Sequence, residues 1–170
     1  MSETFLQSAP GDATVVVEGV FDHPVDRVFR AWTDPEQMLK WFGPEEGALL
    51  AVDADLRVGG RVRFEFRTTE HLRSAVEGSY LAIDPDERLV FSWSHILVRQ
   101  TGEEERTPVS TVTVIFEPAG DGTRITLRHE GIQTRGGRDG VSEGWSAAFA
   151  RFLQFVTSEK AGNGGKATTE

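Results

Sequence analysis

Two hydrophobic rhythms run along the chain, one of alternating residues and one at helical spacing, and they change places in a definite order. Val15-Val16-Val17-Glu18-Gly19-Val20-Phe21 is rich in β-branched residues and predicts a first strand. Two short helices are expected next. Pro24 suits a first helical turn, with Val25, Val28 and Phe29 on one face. Thr33-Asp34 offers a capping side chain to the second helix, Pro35 sits just inside it, and Glu36 favours the positive end of the helix dipole. Gly43-Pro44 stops that helix after Trp41-Phe42.

Alternation then dominates. Val62, Phe64 and Phe66 oppose Arg61, Arg63, Glu65 and Arg67, which predicts a half-buried strand. A further run through Val76-Glu77-Gly78-Ser79-Tyr80 breaks at Asp84-Pro85-Asp86-Glu87 and returns as Leu89, Phe91, Trp93 and His95, so the break reads as a hairpin turn. Val112, Val114 and Phe116 alternate with threonines, Gly120-Asp121-Gly122 supplies another turn, and Ile125, Leu127 and His129 follow. Strands joined so tightly must be antiparallel neighbours. Helical spacing returns in Trp145, Ala148, Phe149, Phe152, Leu153 and Val156, which form one apolar stripe on a long helix. Asp139 or Ser142 is expected to cap its start, since Gly144 weakens the helix there.

This order predicts an α+β domain: a curved antiparallel sheet of six or seven strands wrapped around one long C-terminal helix, with two short helices after the first strand. Such a sheet is close to 30 Å wide, whereas a helix with its side chains is only about 10 to 12 Å across. It must curl to be covered, and space can remain between sheet and helix. The expected lining of that space is Trp41, Phe64, Phe66, Tyr80, Phe91, Trp93, Trp145, Phe149 and Phe152, with His95 and His129 facing inward beside it. If Trp93 and Trp145 border a hollow, Trp93→Ala and Trp145→Ala should fold and lose ligand.

Length and composition narrow the partners. With 170 residues and no repeat or linker, a single domain over 14–160 is expected, between a loose segment at 1–13 and a disordered polar tail at 161–170. The absence of cysteine excludes disulfides and thiolate metal sites. A net charge of -9 argues against nucleic acid, and Arg135-Gly136-Gly137-Arg138 reads as a flexible connector. No apolar run is long enough to span a membrane, and the start carries no secretory pattern, so a cytoplasmic protein is expected.

Catalytic signals are few. His129-Glu130 lacks the second histidine of a metalloprotease helix, and neighbours on a strand face opposite ways, so no metal site is expected. On strands one apart, His95 and His129 would lie about 9 to 10 Å from each other, flanking a ligand. His23 and His71 read as turn or surface residues, and Gly102-Glu103-Glu104-Glu105-Arg106 as a solvated hairpin tip able to gate a pocket mouth.

Residues Phe21 to Pro35, then Trp41-Phe42-Gly43-Pro44, Gly78-Ser79-Tyr80, Glu87 to Trp93, Gly122 to Gly131 and Gly144-Trp145 together resemble the activator of heat-shock-protein ATPase homologue family, within the SRPBCC (START and birch-pollen-allergen-like) superfamily. That resemblance implies a helix-grip fold with a deep cavity between sheet and C-terminal helix; members of the superfamily bind or carry lipids, sterols and polyketides, and some cyclise or hydrolyse them, which leaves the ligand open, and no cofactor is expected. The leading expectation is binding without catalysis. A cyclase or hydrolase using His95 or His129 as acid or base is the alternative, as is a chaperone-associated module. Leu81, Val90 and Ile115, apolar on an otherwise polar face, would serve such a partner or a homodimer.

Overall fold

The structure is a computed structural model that describes residues 14–43, 47–67, 73–132 and 135–169, with side chains in the last stretch described for 137–158. The expected loose segment at 1–13, His71 and the side chains of the expected tail lie outside that description. Strand β1 (Val15–Phe21) leads into α1 (Val25–Thr33) and α2 (Pro35–Trp41). Strands β2 (Leu49–Ala54), β3 (Arg61–Arg67), β4 (Arg73–Asp84), β5 (Arg88–Val98), β6 (Glu104–Arg106), β7 (Ser110–Ala119) and β8 (Gly122–Glu130) follow, and α3 (Arg135–Thr169) ends the chain.

Pairing is antiparallel throughout, in the spatial order β1-β8-β7-β5-β4-β3-β2, with β6 added beside β5. The architecture is thus the α+β helix grip expected, with eight strands rather than six or seven. The two unforeseen strands have reasons. In β2, Leu49-Leu50-Ala51-Val52-Asp53-Ala54 has little alternation because it is an edge strand with a register shift between Leu49 and Ala51. In β6, three exposed charged residues carry no hydrophobic signal and are held by pairing to β5.

Local chemistry sets the corners. Pro24 is the N-cap of α1, extended at φ -68° and ψ 159°, one residue ahead of the expected first helical position. Asp34 serves two helices at once: its backbone N–H closes α1 on Arg30 O, and its carboxylate accepts from Glu36 N at 3.1 Å to open α2. Asp86, at φ 65°, makes the β4–β5 turn, and Gly120, at φ 63°, the β7–β8 turn.

β4 and β5 keep one register from Arg73↔Val98 to Tyr80↔Phe91 and shift it between Tyr80 and Ala82. Register pairs run to Glu77↔Ser94 and resume at Tyr80↔Phe91; between them Ser92 Oγ, in place of a ladder carbonyl, accepts from Ser79 N at 2.9 Å. There the Ser92 carbonyl oxygen comes within 1.7 Å of where a Cβ on Gly78 would stand, so only glycine fits. On the outer face, Arg106 of β6 reaches over β5 to Glu77 of β4 at 3.0 Å, and Ala75 and Ile96 are buried beneath this cover. Burial alone would raise the Glu77 carboxyl, but hydrogen bonds from Arg106 and Arg63 and the Arg61 charge outweigh it and lower its pKa. The acidic segment expected to gate the pocket mouth is therefore partly tied down as β6.

Helix α3 starts at Arg135, so Asp139 and Ser142, expected caps, lie inside its first turns, and the expected connector is helical. Gly137, Gly140 and Gly144 each disfavour helix by about 1 kcal/mol. Burial of Trp145, Ala148, Phe149, Phe152 and Val156 against the sheet overrides that cost. His23 Nε2 bonds Val156 O at 2.9 Å, and Arg151 Nη2 bonds Lys40 O at 3.1 Å, which fixes α3 against the chain before α1 and the end of α2. Among the described residues no helix is long and apolar enough to cross a membrane.

Two glycine substitutions should have opposite signs. Gly78→Ala should destabilise the fold by about 2 kcal/mol or more, because backbone must move. Gly144→Ala, on an exposed helical position with open space around its Cβ, should stabilise it by about 0.5 to 1 kcal/mol. Urea titrations of both variants measure the difference.

Candidate functional site

The inner face of the sheet and the stripe of α3 carry two groups of rings. In the first, Trp41, Phe149 and Phe152 are fully buried, and pack with Phe21 and with Trp32 of α1. The Trp41 indole donates to Ala31 O at 3.0 Å, which pins α2 to α1. In the second, Tyr80, Phe91 and Trp93 descend from β4 along β5 with centroids 6.2 and 6.3 Å apart, and Trp93 reaches His129 and Trp145 at 5.1 Å each. Phe64 stacks on Phe42 at 4.2 Å, with Phe66 at 6.3 Å from the same ring. Trp145 joins the groups, since it also contacts Trp32 at 6.2 Å and Phe42 at 5.6 Å.

Exposure is graded along the inner face. Leu89 and Phe91 are sealed, Trp93 is half-buried and His95 is exposed; on β3, Phe64 is buried and Phe66 half-buried. Exposure thus grows along β5 from Leu89 toward His95 and along β3 from Phe64 to Phe66. The gradient was hidden in the sequence because alternation gives the face of a strand residue, not its depth.

His129 is fully buried and its ring is spent on the protein. Trp145 Nε1 donates to His129 Nδ1 at 3.1 Å, and His129 Nε2 lies 2.6 Å from Ser110 Oγ, whose hydroxyl donates to Trp93 O at 3.3 Å. An indole can only donate, so Nδ1 must be the bare nitrogen and Nε2 must carry the proton. Burial pushes the pKa of His129 down to about 4, so the imidazole is neutral at physiological pH. Taking up a proton at Nδ1 would require breaking the Trp145 bond, a poor arrangement for a general base.

His95 is placed otherwise than expected. It lies on the same face as Val76 and Phe64, but at the solvent-exposed end, where β5 pairs with β6 rather than β7. Register puts His129 opposite Val112 and Val112 opposite Phe91, so His95 lies four residues farther along β5 than the level of His129. That offset is about 13 Å along the strand, and the two histidines do not flank one point at 9 to 10 Å. Partial desolvation lowers the pKa of His95.

Sequence reasoning passed over Trp32, Phe42 and Ser110. Trp32 continues the apolar face of α1 set by Val25, Val28 and Phe29, so helical spacing could have found it. Among the described residues its Nε1 is the buried side-chain nitrogen or oxygen with no hydrogen-bond partner. Leaving such a group unpaired costs about 1 to 3 kcal/mol.

A curved sheet gripping one C-terminal helix, with rings between them, defines an SRPBCC-type domain, a fold family of ligand-binding domains. Residues 22–157 match the family described as activator of Hsp90 ATPase homolog 1-like protein, and the chain belongs to it. Similar solved structures include a protein from Nitrosomonas europaea, 25% identical, covering 90% of this chain and 99% of that one with a TM-score of 0.70. A protein from Mycobacterium smegmatis is also 25% identical, covering 91% and 98% with a TM-score of 0.70. The AHSA1 protein from Silicibacter pomeroyi, 24% identical over 86% and 99%, shares the fold with a TM-score of 0.72. No curated protein matches the sequence. The family resemblance read from the ordered motifs is thus shown.

The neutral state of His129 predicts acid sensitivity. Above pH 6.5 the imidazole is neutral whether folded or unfolded and contributes no pH dependence; below it the unfolded chain takes up a proton that the native site refuses until about pH 4. Stability should fall by about 3 kcal/mol across that window. His129→Gln, which does not titrate, should flatten this part of the profile in urea melts at successive pH values.

Proposed function

We propose that the domain spanning 14–160 binds a small hydrophobic or aromatic molecule, of the lipid, sterol or polyketide kind, between the sheet and α3, as a cytoplasmic carrier or sensor rather than a catalyst. One observation carries this reading: the inner face of β5 passes from sealed Leu89 and Phe91 to half-buried Trp93 and exposed His95, so an apolar, ring-lined interior meets solvent at one end. Burial of the ligand's apolar surface would supply affinity. Half-buried Trp93 and Phe66 would be the first to hold an entering molecule, with buried Trp145 behind them, and membership of a ligand-binding fold family supports the same reading.

Chemistry beyond binding has less support. The two rings of His95 and His129 are far apart, and His129 has both nitrogens engaged by Trp145 and Ser110.

Native mass spectrometry of the protein purified from its own host, with a titration of 1-anilinonaphthalene-8-sulfonate, tests the proposal. A retained apolar molecule or saturable dye binding is expected; the absence of both would sink it. Trp93→Ala should remain folded, losing less than the about 3 to 5 kcal/mol of a fully packed ring, and should weaken dye binding about tenfold. Trp145→Ala, by contrast, should fall within that full range. Its ring is buried against Trp32, Phe42 and Trp93, and its loss strands His129 Nδ1. This replaces the expectation that both variants would fold equally well.

A further inference from the structure

Each of the chain's four indoles needs a partner for its N–H when buried. Trp41 gives its proton to Ala31 O and Trp145 to His129 Nδ1. Trp32, 2% exposed near the end of α1, gives its proton to no atom among the described residues.

What surrounds this N–H restricts what can satisfy it. The rings of Trp41, Phe116, Trp145, Phe149 and Phe152 lie with centroids 4.7 to 6.2 Å from that of Trp32. None of these rings offers a lone pair, and an N–H facing a ring forms only a weak bond. A water molecule needs two to four polar partners to be held in an interior, and these side chains supply one donor and no acceptor. An apolar body with a single oxygen meets both demands, because the rings pack its skeleton and the oxygen takes the proton.

The same surroundings select the kind of oxygen. A carboxylate placed here would lose its hydration among uncharged rings, which is prohibitive without a paired cation. A hydrocarbon would leave the N–H as it is. A neutral carbonyl oxygen accepts one strong hydrogen bond and is easily desolvated. Trp145 also links this point to half-buried Trp93, since its ring lies 6.2 Å from Trp32 and 5.1 Å from Trp93.

We propose that Trp32 Nε1–H is the specificity-determining donor of the binding site and that the molecule held there is an apolar compound bearing a neutral carbonyl, a ketone, ester or aldehyde, at its inner end. This rests on the binding function proposed above and adds the ligand's chemical class.

The test compares 2-acetylnaphthalene with 2-ethylnaphthalene, which share a skeleton and differ by C=O against CH2, on the wild type and Trp32→Phe. The preference for the ketone over the hydrocarbon should fall about tenfold in the variant, the worth of one hydrogen bond. An unchanged preference, with both probes still bound, would remove Trp32 from the site and leave the binding function standing. No saturable binding of either probe by the wild type would overturn both. In wild-type protein labelled with indole 15N-tryptophan, the Trp32 cross-peak should move downfield with saturating ketone and stay in place with the hydrocarbon. A Trp32 peak indifferent to the ketone would refute the assignment even if the variant failed to fold.

Discussion

The interior of this domain is governed by a mismatch of widths. Seven strands laid side by side at about 4.8 Å spacing span about 29 Å, and their apolar side has one long helix to meet it. A flat sheet would leave most of that side wet. Instead α3 lies against β1, its Trp145 reaches Trp93 of β5, and α1, α2 and the residue after it add Trp32, Trp41 and Phe42 to the cover. The large rings follow from this geometry, since residues must reach across a trough rather than fill a thin layer.

Much of the fold was legible because binary patterning reports the faces of elements directly. β3, β5, β7 and β8 declared themselves through strict alternation, and α1 and α2 through Pro24, Asp34 and Pro35. Edges were less readable. β2 and β6 each have a neighbour on one side only, and their side chains answer to solvent and register more than to a buried face. The start of α3 was misplaced because four glycines, at 136, 137, 140 and 144, mask the helical signal, whereas the decisive term is tertiary burial of a stripe that begins at Arg138.

The site was legible in composition and not in depth. Eleven residues were expected along one lining; the structure divides them into a packed group around Trp41, Phe149 and Phe152 and a graded wall along β5, with His95 outside both. Alternation cannot distinguish these, because depth depends on which part of the sheet a helix covers. Two tryptophans that look alike in sequence differ for the same reason: Trp145 is written into a polar chain with His129 and Ser110, while the Trp32 indole N–H has no hydrogen-bond partner among the described residues. The first arrangement fixes how α3 sits on the sheet, since only one rotation of the helix brings its indole to His129.

Gly78 has a further consequence. It stands on β4 two residues before Tyr80, between the pairs Glu77↔Ser94 and Tyr80↔Phe91, so the position that excludes a side chain lies among the rings of the inner face. A side chain gained there would press on the strand that carries Phe91, the ring beside Tyr80, so strand spacing and ring packing change together.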